Sequence, residues 1–145
     1  AFLAPMVLAC AHPRAARHVH AIEAFGPVST IMPYDDLDEA IDLVKRGEGS
    51  LIASAYTNDD NAAARLVEGV GSFHGRLLFV DRDCGAEQTG HGSPMPHLVH
   101  GGPGRAGGGE ELGGLRSMSH YLQRTALQGS PTRLGAITGE GTASA

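Results

Sequence analysis

The chain has 145 residues, a length that fits one domain or one piece of a larger one. Sixteen acidic against eleven basic side chains give a net charge of -5, which argues against a nucleic-acid binder relying on phosphate attraction. Aromatic residues are 5% with no Trp, so base-stacking platforms are poorly supplied, and no apolar run approaches the ~20 residues that span a bilayer. Hydrophobic residues make up 41%, enough for a packed core. The opening AFLAPMVLAC is apolar but has no basic segment before it, so it does not read as a signal peptide. Two cysteines, Cys10 and Cys84, are too few for a disulfide framework, and a cytoplasmic location is expected.

The first half alternates strands and helices. Phe2 to Ala9 is a short apolar run, followed by His12-Pro13, where the proline favours a turn or a helix start. Arg14 to Ile22 is expected to form two helical turns, ended by the breaker pair Gly26-Pro27. Val28 to Met32, with β-branched members, reads as a buried strand. Asp35 or Asp36 then caps a helix from Leu37 to about Arg46, with Leu37, Ala40, Ile41 and Val44 on one face and Gly47 as its stop. Ser50 to Thr57 alternates as the next strand. Asn58-Asp59-Asp60 caps a helix whose Ala63, Leu66, Val67 and Val70 form a stripe, and Gly75 to Val80 is a further strand. Connections of two to six residues in this rhythm predict an α/β layer with a mostly parallel sheet.

The second half is different. Asp81 to Gly114 offers no helix or strand pattern and is expected to be a long glycine-rich loop, since eight of the 14 residues from Gly101 to Gly114 are glycine. A short helix is expected from Leu115 to Arg124 and a last short strand from Thr125 to Gln128. Residues 1–135 are expected to be one unit, and residues 136–145 a flexible tail. The chain opens at Ala1 inside an apolar run, where a natural domain starts at a polar boundary, and a fragment is expected.

The sharpest local feature is Glu23-Ala24-Phe25-Gly26-Pro27-Val28. A carboxylate and an aromatic ring two apart point the same way in extended backbone, and Gly-Pro fixes a turn behind them. A carboxylate can accept hydrogen bonds from a sugar diol, and a ring can pack against a flat heterocycle. The plainer reading is a turn leading into a strand, with a surface Glu and a core Phe.

Glu23 to Val28 resembles the E-x-F-G-P-V motif of the aldehyde dehydrogenase superfamily, and further segments follow in the family's order. Tyr34 to Arg46 is similar to its acidic cap and helix. Gly49-Ser50-Leu51 with Thr57-Asn58-Asp59 is similar to its next strand and helix start, and Gly75 to Val80 to the strand after it. Gly101 to Gly114, with Glu110-Glu111-Leu112-Gly113-Gly114, is similar to its late glycine-rich stretch. Asp81-Arg82-Asp83-Cys84 and the segment from His91 to His100 resemble the dehydrogenase part of the bifunctional ring-opening proteins of phenylacetate degradation.

The resemblance implies an aldehyde dehydrogenase catalytic-domain fold, oxidation of an aldehyde with NADP or NAD as cofactor, a homo-oligomer, and no membrane or nucleic-acid partner. The phenylacetate resemblance implies a coenzyme A-linked semialdehyde as substrate. Glu23 matches the residue that hydrogen-bonds the nicotinamide ribose, and Phe25 the ring beside the nicotinamide. Met95, after Ser93-Pro94, matches a substrate-tunnel position. The family's catalytic cysteine and general-base glutamate belong upstream of the motif, where only 22 residues stand before Glu23. The chain is therefore expected to be the C-terminal third of the module and inactive by itself.

Other clusters carry weaker signals. Cys84 sits beside Asp81 and Asp83, which oppose thiolate formation, and on the wrong side of the motif for the family nucleophile; Cys10 reads as a core residue. A rival reading is a standalone binding or assembly module that pairs through exposed strand edges or binds a metal through His91, His97 and His100, but the spacing of these histidines fits no standard zinc site and no metal is expected. The glycine run lacks the pattern of a phosphate loop. Asp35 to Glu39 reads as an acidic helix start meeting the helix dipole.

Overall fold

The structure, a computed structural model, describes residues 2–88, 90 and 121–139. It is α/β, and every strand pair in it is parallel. The chain divides into two compact units, residues 1–47 and 48–145, where the sequence suggested one.

In the first unit β1 (Met6–Ala9) pairs in parallel with β2 (Val28–Ile31), Met6 opposite Val28 and Ala9 opposite Ile31. Between them stands only a single helical turn, α1 (His18–Ala21), where two turns were expected. The His12 carbonyl closes a separate turn by accepting from the N–H groups of Ala15 and Ala16. No residue of α1 is buried and no side chain caps it, so nothing extends the helix.

The helix α2 (Leu37–Lys45) begins at Asp36, whose carboxylate accepts from the Glu39 N–H at 2.8 Å. Its buried face differs from the expected stripe: Ile41 and Leu43 are buried with Glu39, whereas Val44 is exposed. Leu37 and Ala40 of that stripe are half-buried, and the buried Glu39 is satisfied, its Oε1 accepting from Arg14 Nε at 2.5 Å and its Oε2 from the Asp35 N–H at 2.7 Å.

The second unit is built on β3 (Ser50–Tyr56), β4 (His74–Val80) and β5 (Ala126–Gln128), in that spatial order with β4 central. The helix α3 (Asp60–Val70) joins β3 to β4, and its Asp59 cap accepts from the N–H groups of Asn61 and Ala62. The expected stripe holds, with Ala63 and Val70 buried and Leu66 and Val67 half-buried. A 3-10 turn over Gly71–Phe73 leads into β4, whose residues through Phe79 are all buried, as a central parallel strand requires.

The sequence stopped short at the far end. The helix α4 (Pro131–Thr138) follows β5, so residues 136–138 are helical and not tail. Ser130 caps it, Pro131 fills a first-turn position where no N–H is needed, and Gly139 ends it with φ of 72°. Tyr121 is in 3-10 conformation, whereas Leu122 to Arg124, expected to finish a helix, are not helical. The rest of that expected helix, most of the glycine-rich loop and the loop histidines lie outside the described residues.

Candidate functional site

Glu23 and Phe25 sit on the segment between α1 and β2. Two tight turns in succession shape it: the Gly26 N–H donates to the Ala24 carbonyl at 2.7 Å, and the Val28 N–H to the Gly26 carbonyl at 2.8 Å. The fixed φ of Pro27 suits the second of these turns. Phe25 is 95% exposed, so the core role that the plainer reading gave it does not hold. Glu23 is exposed as well.

Both line one open groove of about 630 Å³, whose wall also includes Val19, Ile22 and Thr30. A Cβ built on Gly26, also in this wall, would meet nothing within 4 Å, so the backbone there stands open to a close approach. The structure thus brings together the two residues that the motif singled out. Met95 lies outside the described residues, as do His91, His97 and His100. Among the described residues no group of three or more His, Cys, Asp or Glu is placed to hold a metal ion.

A second polar cluster went unseen in the sequence. It lies at the carboxyl ends of β3, β4 and β5, where loops from three strands converge. Asp81 accepts from the Asp83 and Cys84 N–H groups, each at 3.0 Å, and from the Ser130 hydroxyl at 2.7 Å. Arg133 Nε stands 3.6 Å from Asp81 Oδ2, Nη1 pairs with Asp60, and Nη2 donates to the Thr57 carbonyl at 3.1 Å. Burial works against the Asp81 charge, but hydrogen bonds from Ser130, Cys84 and Asp83 outweigh it and hold the carboxyl at about 2.

Asp60 and Asp81 face the charge of Arg133, although its Nε makes no hydrogen bond, and the cluster acts as a clamp between loops. Cys84 belongs to the clamp, with its thiol donating to the Phe79 carbonyl at 3.5 Å. One local signal pointed here: Ser130-Pro131 is a cap followed by a first-turn proline. Nothing in the sequence tied Arg133 to residues more than 70 positions away.

Comparison with known proteins identifies the fold that carries this groove. The chain is 55% identical over 137 residues to the protein MaoC of Klebsiella aerogenes, an alignment covering 94% of this chain and 41% of that protein. It is 48% identical over 103 residues to the 3,4-dehydroadipyl-CoA semialdehyde dehydrogenase of Aromatoleum evansii, covering 71% of this chain and 20% of that one. It is 30% identical over 101 residues to the benzaldehyde dehydrogenase (NAD(+)) of Pseudomonas putida, covering 70% and 19%. The chain therefore spans less than half the length of each of these relatives. Residues 1–126 match the aldehyde dehydrogenase family, and with that the chain belongs to this family of oxidoreductases.

Proposed function

We propose that the chain is the C-terminal part of an aldehyde dehydrogenase and that Glu23 and Phe25 bind the nicotinamide end of an NAD or NADP cofactor. The observation that carries the reading is the shared groove, where both side chains stand exposed beside an unobstructed glycine. A carboxylate there can accept from the two hydroxyls of a ribose, and an uncommitted ring offers a face to a flat heterocycle. When bound, the cofactor supplies the acceptor for the hydride that leaves as the aldehyde becomes an acid. The role of this segment is to hold that acceptor in place.

The substrate class follows from the resemblance to the phenylacetate ring-opening proteins and from a relative whose name specifies a CoA-linked semialdehyde. We assign the chain an aldehyde of that kind, with Met95 on the substrate side. The nucleophile and the dinucleotide-binding half are assigned to other parts of the protein, which leaves this segment inactive alone. Exposed apolar side chains on β1, Val7 and Leu8 among them, support a homo-oligomer. Two free cysteines support a cytoplasmic location.

Glu23→Gln in the gene's full product tests the cofactor assignment. Loss of a charged acceptor is expected to raise the cofactor KM or lower kcat by about tenfold, with the melting temperature unchanged. Kinetic constants equal to those of the wild type would remove Glu23 from the site.

A further inference from the structure

A buried cation of the second unit has no answering charge among the described residues. Arg76, on β4, is 0% exposed, and among the described residues none of its three guanidinium nitrogens has a hydrogen-bond partner. Burial lowers its pKa, yet a guanidinium keeps its proton in proteins, so the charge itself has to be met. The register sets Arg76 opposite Ile52 of β3 and Ala126 of β5, which places these residues on one face of the sheet.

Among the described residues the same face holds three more buried polar atoms without partners: His74 Nε2, Ser54 Oγ and Gln128 Oε1. No Asp or Glu stands in any of the three strands. Arg133, also buried, gives the contrast. Arg133 has Asp60, Asp81 and the Thr57 carbonyl around it. An unanswered buried charge is among the costliest defects a core can hold, and natural cores almost never keep one.

We propose that this face of β3, β4 and β5 is an oxyanion site, in which a carboxylate or phosphate-like group from outside the described residues takes a bidentate pair of hydrogen bonds from Arg76. The planar fork of a guanidinium matches two oxygens of such a group, which a lysine could not do. The Ser54 hydroxyl on the same face is a further donor. The oxyanion has two sources of the same chemistry: an acidic side chain of the complete protein, or a free oxyanion from solution.

Thermal melts of the gene's full product, as wild type, Arg76→Met and Arg76→Lys, with and without inorganic phosphate, separate these sources. With an acidic side chain, melting ignores phosphate and Arg76→Met loses about 6 °C or more, because it strands a buried anion. Arg76→Lys then recovers part of the loss, keeping charge without the fork. With a free oxyanion, phosphate raises the wild-type melting temperature and Arg76→Met abolishes the rise. Arg76→Met melting at or above the wild type, in a protein indifferent to phosphate, overturns the proposal. If a variant does not fold, a crystal structure of the wild type decides. Carboxylate or phosphate oxygens at hydrogen-bond distance from Arg76 support the site, and water or apolar atoms alone refute it.

Discussion

Phe25 shows how far one residue separates two readings of the same motif. As a core residue its truncation to Ala would cost about 3–5 kcal/mol; as a ring 95% exposed on a groove it costs under about 0.5 kcal/mol. Phe25→Ala is therefore expected to melt like the wild type while weakening cofactor binding. A large fall in stability would restore the plainer reading. Asp81 gives a prediction in pH. Its folded carboxyl, at about 2, lies below the ordinary 3.8, so its stabilisation is complete above the ordinary value and lost as pH falls through the folded one. Stability of the second unit is expected to drop between about pH 4 and about pH 2 on its account. Urea melts of Asp81→Asn across that window should show a shallower drop, and an unchanged slope would remove Asp81 from the cause. The Glu23–Phe25 segment stands out in the sequence because six consecutive residues carry its motif. The Asp81 clamp does not, because Ser130 is 49 positions away and each partner alone is an ordinary loop residue.

Elements were legible wherever local chemistry decides them. Both longer helices of the first half begin at aspartates flagged as caps, and β2, β3 and β4 follow the apolar runs closely. Misses arose where tertiary contacts choose. The burial of Glu39 in α2 goes with its partners Arg14 and Asp35, which no helical period reveals. The helix α4 was hidden by a short, weakly amphipathic sequence, although its cap and its proline are local signals. The sequence left Asp35 and Asp36 as rival caps. The structure gives the role to Asp36, so Asp36→Ala is expected to cost about 1 kcal/mol in urea melts. Asp35→Ala is expected to cost little, because Asp35 contributes its backbone N–H to Glu39. Equal losses in the two variants would contradict that division.

At the scale of the whole molecule, parallel pairing was legible from the alternation of strands and helices, since parallel neighbours need a crossover between them. The division into two units was not, because each βαβ stretch reads alike in sequence whichever sheet it joins. The first unit presents a two-stranded sheet with every residue of β1 exposed, and such a ribbon is marginal in water without something covering it. The chain aligns with 41% of one relative and 20% of another, so it spans only part of the proteins it matches. The most direct test is an assay of aldehyde-dependent NAD or NADP reduction, run side by side on the gene's full product and on the 145-residue chain. The account predicts turnover by the full product and none by the chain alone. Turnover by the chain alone would place a nucleophile within these residues and contradict it.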